Sequence, residues 1–203
     1  MSDNQKQRVS DNPKKTEKQK IIEAALRLLD FQDRTAAELQ EKLEKKGFDS
    51  NRVSEAVEYL KDSGLVDDRR YAELFAQGRF EAGKGRTWIK NRLASKGISR
   101  DIIEESMSQI LEEVDERMLC LQKALSVCSL DDDFEITEDG DIVPVEEGEP
   151  VRYFYRKVAE DERDRSVIYK EHEKAKASLT RKLITAGFPP GMVFDAVKKI
   201  DKL

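Results

Sequence analysis

The stretch WIKNRLASKGISRDIIEESMSQI, residues 88–110, decides the fold because the chain repeats its pattern in two other places. The segments ELQEKLEKKGFDSNRVSEAVEYL at 38–60 and SLTRKLITAGFPPGMVFDAVKKI at 178–200 align with it without a gap. Apolar residues occupy matching positions in all three segments, and one glycine recurs in phase, at Gly47, Gly97 and Gly187. Self-similarity of this kind indicates an array of structural repeats.

Each of the three segments predicts a helix, a glycine turn and a second helix. Leu39 and Leu43 lie four residues apart, so they share one helical face. The glycine ends that helix because it reaches the left-handed conformation at low cost. Residues that suit the start of a helix follow each glycine, namely Asp49 and Ser50, then Ser99, then Pro189 and Pro190. Thr35 and Glu38 also have the spacing of a capping box.

A further helix precedes each helix pair. Residues 21–30 (IIEAALRLLD) and 71–80 (YAELFAQGRF) are related by the same offset of 50, and residues 114–128 (VDERMLCLQKALSVC) begin the third unit. Each repeat therefore has three helices. The sequence predicts an all-α fold, an elongated tandem array of three three-helix repeats at 19–66, 67–112 and 113–203.

An acidic insertion at about 129–164 interrupts the third repeat. Residues 131–150 hold ten Asp or Glu and no basic residue. A short β-hairpin that turns at Asp139 and Gly140 is one interpretation, and the acidic composition favours the other, a disordered loop. Residues 153–155 (YFY), flanked by basic residues, are either a contact patch or the segment that returns the chain to the third repeat. Residues 1–18 are predicted to be a disordered basic tail.

The second repeat is strongly basic, although the whole chain has a net charge of -5. Between Arg69 and Arg100 there are nine basic and two acidic residues, which is too uneven for routine ion pairing. We expect these nine residues, hereafter the basic sector, to contact phosphates or an acidic protein surface: Arg69, Arg70, Arg79, Lys84, Arg86, Lys90, Arg92, Lys96 and Arg100. Tyr71 and Phe75 are predicted core residues, and Trp88 is expected to pack on the adjacent helix rather than to stack on a base.

Nothing in the sequence converges on catalysis. The one histidine, His172, has no nucleophile motif beside it, and we expect it to be an exposed surface residue. We therefore expect no catalytic residue, no cofactor and no metal ion. Cys120 and Cys128 would lie two helical turns apart, which favours reduced thiols over a disulfide. No stretch has the ~20 apolar residues of a membrane span, so we expect a cytoplasmic protein.

Residues 59–99 carry the most specific pattern in the chain, and it resembles the core of the RecX family of recombinase regulators. The motifs that carry the resemblance occur in order and at sensible spacing: GLVDD at 64–68, YA at 71–72, GKGR at 83–86 and KGI at 96–98. The resemblance extends over most of residues 20–200. Two features depart from the family pattern, namely the acidic insertion and Ala186-Gly187-Phe188, where a basic residue more usually precedes the glycine.

The resemblance implies a partner and an activity. RecX proteins bind a RecA-type recombinase and inhibit or remodel its filament on single-stranded DNA. We therefore expect a monomeric modulator, in the first instance an inhibitor, of the recombinase filament, with single-stranded DNA as a further candidate partner. The alternative is a helix-turn-helix-like DNA-binding regulator. Acidic residues on the would-be recognition helices count against it: Glu55, Glu58, Glu104 and Glu105.

Overall fold

A computed structural model of the chain describes residues 16–130, 133–145 and 165–203, and these are α-helical apart from one short hairpin. The helices of the first two repeats are α1 (Glu17–Phe31), α2 (Ala36–Lys45), α3 (Ser50–Asp62), α4 (Asp68–Glu81), α5 (Arg86–Ser95) and α6 (Arg100–Glu113). The third contains α7 (Glu116–Cys128), strands β1 (Phe134–Ile136) and β2 (Ile142–Pro144), α8 (Arg165–Ala186) and α9 (Pro190–Ile200). The predicted all-α class is confirmed, with three helices packed together in each repeat.

Each repeat has its own hydrophobic core, and the matching apolar positions of the sequence lie in these cores. Leu39, Ile89 and Leu179 are equivalent in the three segments, and all are buried. The first compact unit of the chain ends at Asp67 and contains the first repeat. The second unit begins at Asp68 and contains the second and third repeats.

The local signals for helix ends are confirmed. The three recurring glycines have positive φ, from +80° at Gly97 to +95° at Gly187. The Asp49 and Ser99 side chains cap α3 and α6, and Pro190 opens α9. Helix α1 begins at Glu17, where Thr16 and Gln19 form a capping box, so its first two residues lie within the segment assigned to the basic tail. Residues 1–15 of that tail lie outside the described residues.

The part of the acidic insertion that the structure describes is a hairpin. Strands β1 and β2 are antiparallel, with Phe134 opposite Pro144. Phe134 is buried against the third repeat, and the Lys199 ammonium donates to the Asp141 carboxylate at 2.9 Å and to the Gly140 carbonyl oxygen. Disorder was therefore the wrong prediction for 133–145, because β1 has a core to pack on. Residues 131–132 and 146–164, including the aromatic cluster at 153–155, lie outside the described residues.

His172 is buried, so the prediction of an exposed histidine is wrong. Its Nε2 lies 2.6 Å from Asp201 Oδ1, and Lys176 donates to Asp201 Oδ2 at 2.8 Å. Burial alone would raise the pKa of Asp201, but the hydrogen bonds from Lys176 and His172 hold it below its usual value. The same bond to Asp201 raises the pKa of Lys176. These contacts tie α8 to the turn that follows α9.

Cys120 and Cys128 are free, buried thiols, as the helical spacing predicts. Burial, with a smaller contribution from the charge of Glu116, raises the pKa of Cys120 to about 12. A thiol with so high a pKa has almost no thiolate at neutral pH, and the thiolate is the reactive form. Cys120 is therefore a core residue of the third repeat.

Candidate functional site

The basic sector spreads over α4, α5, α6 and the turns between them, and its members have different surroundings. Arg69, Arg70 and Arg79 lie on α4, Lys84 in the turn after it, and Arg86, Lys90 and Arg92 on α5. Lys96 follows α5, and Arg100 begins α6. Three of the nine lie over aromatic rings, three form ion pairs with carboxylates of α6 or α7, and Arg70, Arg92 and Arg100 are exposed.

An aromatic row lies beside the basic residues of the second repeat. It consists of Tyr71, Phe75 and Trp88, with ring centroids 6.1 Å apart for the first pair and 6.4 Å for the second. The rings are nearly parallel within each pair and half-buried against the core of the repeat. Trp88 packs on α4 through Phe75, and all three rings lie at the edge of the core with part of their surface exposed.

Three cations of the basic sector lie over this row. The distance from the charged group to a ring centroid is 5.2 Å for Lys96 and Tyr71, 5.0 Å for Arg79 and Phe75, and 5.3 Å for Lys84 and Trp88. Such cation–π contacts stabilise partly exposed side chains by about 0.5–1 kcal/mol each. The row thus has positive charge along its whole length.

Two cations pair with exposed carboxylates of α6. Arg69 contacts Glu105, and Lys90 donates to Glu104 at 2.5 Å. The hydrogen bond from Lys90 lowers the pKa of Glu104. Exposed pairs of this kind contribute little to stability and exchange easily with solvent or a partner. Arg69 and Lys90 therefore stay candidates for binding.

Arg86 has a structural role. Its guanidinium contacts the carboxylate of Glu116, which is buried, and its backbone N–H donates to the same carboxylate at 2.7 Å. Gly85, the N-cap of α5, has no side chain to accept from the free N–H groups of the first turn. Glu116, from the first turn of α7, supplies that acceptor and joins the second repeat to the third.

The glycine loop before α5 completes this junction. The Gly85 N–H donates to the Ala186 carbonyl oxygen at 2.9 Å, and the Thr87 N–H donates to that of Gly187 at 3.1 Å. A Cβ on Gly85 would lie 2.4 Å from the backbone of Gly187, and one on Gly187 would lie 2.4 Å from the backbone N of Trp88. Only glycine fits at either position. The GKGR motif therefore connects the second repeat to the third.

A cleft between the second and third repeats contains basic residues outside the basic sector. It has a volume of about 360 Å³, and four cations line it: Lys84, Lys123, Arg181 and Lys182. One weak signal for this cleft lies in the repeat pattern, since Lys182 matches Lys42 and Arg92 in the other repeats. Lys123 and Arg181 had no signal, because their proximity depends on the packing of α7 against α8.

Neither a metal-binding cluster nor a membrane-spanning helix occurs among the described residues. In that part of the chain no three His, Cys, Asp or Glu residues are placed to hold a metal ion. None of the helices described there is both long and apolar enough to cross a membrane.

Comparison with known proteins finds two RecX family models that match this chain. The model described as "RecX, first three-helix domain" matches residues 22–60, and "RecX, second three-helix domain" matches 67–107. The first two repeats are therefore similar to the RecX family. The two matched ranges fall on the first and second repeats, and the second includes the aromatic row and the whole basic sector.

Relatives with the RecX name share part of their length with this chain. The regulatory protein RecX of Clostridium perfringens (strain SM101) is 37% identical over 94 residues, which cover 46% of this chain and 44% of that protein. That of Halorhodospira halophila is 34% identical over 105 residues, or 52% and 63% of the two chains. The matches span about half the length of these relatives.

The fold is also that of a solved RecX structure. The crystal structure of RecX from Lactobacillus salivarius superposes with a TM-score of 0.63 at 21% identity, over 92% of this chain and 98% of that one. The superposition extends beyond the two domains that the family models match. It therefore supports the three-repeat fold over nearly the whole chain.

Proposed function

We propose that this protein binds the filament that a RecA-type recombinase forms on single-stranded DNA and lowers its activity. One observation carries the proposal: the first two repeats match RecX domains, and the second of them carries the exposed cations of the basic sector. A filament of protein and DNA presents phosphates and acidic side chains, both of which attract Lys and Arg. We propose a non-enzymatic regulator that acts as a monomer in the cytoplasm.

The exposed arginines Arg70, Arg92 and Arg100 are the strongest candidates for contact with the filament. They lie on α4, α5 and α6, so one partner surface would have to touch all three helices of the repeat. Arg79, Lys84 and Lys96 add charge along the aromatic row. Arg86 is the exception, since its contact with Glu116 gives it a structural role.

Recombinase ATP hydrolysis on single-stranded DNA, titrated with the protein at fixed salt, tests the proposal. We expect a concentration-dependent fall. The variant with Arg70, Arg92 and Arg100 all changed to Ala should need about tenfold more protein for the same fall, because each lost charge weakens the contact. A matched control removes three exposed cations of the first repeat, Arg27, Lys45 and Lys61, and should behave like the unchanged protein.

Two results would contradict the proposal. Unchanged hydrolysis together with no binding to the filament by sedimentation would exclude filament modulation. An equal loss in the two triple variants would show that net charge, and not the basic sector, drives binding. Light scattering coupled to size exclusion checks the proposed monomer in the same preparations.

A further inference from the structure

We propose that the cleft between the second and third repeats, together with the aromatic row, binds single-stranded nucleic acid directly. The cleft would hold backbone phosphate, and the row would support neighbouring bases. This binding would not require the recombinase, because every group that contacts the nucleic acid belongs to this chain. It involves three residues outside the basic sector, Lys123, Arg181 and Lys182.

The cleft has a strongly positive lining. Lys84 comes from the loop before α5, Lys123 from α7, and Arg181 and Lys182 from α8, so the fold brings four cations from three elements to one cleft. The described residues that line the cleft include no Asp or Glu. Like charges at close range repel unless a counter-ion lies among them, and a cleft walled by protein concentrates the positive potential. A phosphate has the charge and the acceptor oxygens to fill that role.

Contacts within the protein hold the backbone of the cleft in place. The loop at 83–85 is fixed by the hydrogen bond from the Gly85 N–H to Ala186, at the C-terminal end of α8. The aliphatic part of Lys123 lies across Gly83, with its Cδ 3.3 Å from the place of a Cβ there. The backbone that carries these cations is therefore in place before any ligand binds, which lowers the entropic cost of binding.

The aromatic row favours nucleic acid over an acidic protein segment as the ligand of the cleft. Lys84 both lines the cleft and lies over Trp88, so the row begins where the cleft ends. Half-buried, nearly parallel rings beside a phosphate site are the combination that single-strand binders use, since every base can stack on an aromatic face. A duplex keeps its bases stacked inside, so a single strand fits the row better.

The experiment uses the full chain without recombinase and a fluorescent oligothymidylate at low salt. The variant with Lys123, Arg181 and Lys182 all changed to Ala should bind about tenfold more weakly, and the slope of log affinity against log salt should fall by about 2 if three phosphate contacts are lost. The control is again the triple Ala variant at Arg27, Lys45 and Lys61, which removes the same charge from the first repeat. Thermal unfolding by circular dichroism establishes that both variants fold.

Trp88, the only tryptophan, reports on the aromatic row without substitution. Oligothymidylate should quench its fluorescence, and an abasic strand of equal length should bind more weakly and quench less. No binding of the oligonucleotide, or equal losses in the cleft and control variants, overturns the proposal. If the abasic strand binds with equal affinity, the bases take no part in the contact. If inorganic phosphate alone or polyglutamate at equal charge competes with the oligonucleotide, the cleft is a general anion site instead.

Discussion

Helices α2 and α5 occupy equivalent places in the first and second repeats, yet their first turns are capped in different ways. Thr35, before α2, accepts from the Glu38 N–H, and Glu38 reaches back to the Thr35 N–H. Gly85 is the equivalent residue 50 positions later, and it has no side chain to offer. The donors at the start of α5 bond to Glu116, Ala186 and Gly187 of the third repeat instead. The first repeat caps its helix with neighbours in sequence, and the second does so with residues 30 to 101 positions away.

The recurring glycines show the same contrast. Gly47 and Gly187 make the same turn, with φ of +90° and +95°. A Cβ on Gly47 would meet open space, whereas one on Gly187 would overlap the backbone of Trp88. The repeat thus preserves the local turn and varies what lies against it. In the third repeat this turn packs against the second repeat. The second and third repeats also belong to one compact unit.

The largest expected effect comes from placing a side chain at Gly187, where the third repeat touches the backbone of the second. Gly187→Ala should destabilise the protein by about 3 kcal/mol or more, because the new methyl group overlaps backbone that cannot move aside. Gly47→Ala should cost about 1–2 kcal/mol, the price of a left-handed alanine alone. Urea unfolding of both variants, followed by circular dichroism, measures the difference. Equal costs would mean that the Gly187 contact is not tight in solution.

The two capping arrangements provide the next test. Glu116→Ala should cost about 2–3 kcal/mol, because it leaves the backbone N–H of Arg86 without its acceptor and removes the partner of the Arg86 guanidinium. Thr35→Ala should cost about 1 kcal/mol, the usual loss for a helix N-cap. Glu116→Gln keeps an acceptor for the Arg86 N–H and should fall between them. A Glu116→Ala cost no larger than that of Thr35→Ala would show that the long-range cap adds nothing.

This contrast also marks what could be predicted from the sequence. The glycine turns and the Thr35 capping box depend on neighbours in the chain, and pattern alone indicated them. The Glu116 cap, the Gly85–Gly187 contact and the cationic cleft join residues far apart in sequence, so no local signal marked them. His172 was misjudged for the same reason, since its partner Asp201 lies 29 residues away. The hairpin at 133–145 was only one of two interpretations, because ten acidic residues favoured disorder and the sequence does not show the buried place of Phe134.

The smallest effect in this series is at the ends of the first and third repeats. Lys61 and Asp201 are equivalent positions, but Lys61 pairs with Glu58 on the exposed face of its own helix, and Asp201 holds Lys176 and His172 of α8. Asp201→Asn should cost about 1–2 kcal/mol at neutral pH, and Lys61→Ala should cost about 0.3 kcal/mol. Only the cost of Asp201→Asn to the free energy of unfolding should change as the pH falls. Because the folded-state pKa of Asp201 is depressed, its contribution is complete above the ordinary value of 3.8 and is lost as the pH falls through the lower folded value.

Urea unfolding at neutral pH and at about pH 3 separates this ion pair from general acid destabilisation. Each variant is compared with the unchanged protein at the same pH, so carboxylates common to both cancel. The Asp201→Asn difference should shrink at the lower pH, while the Lys61→Ala difference stays small at both. A difference for Asp201→Asn that does not change with pH would mean that Asp201 acts there only as a hydrogen-bond acceptor. The closure of α8 onto the end of the chain would then be a matter of shape and neutral hydrogen bonding, as in the glycine junction, and not of charge.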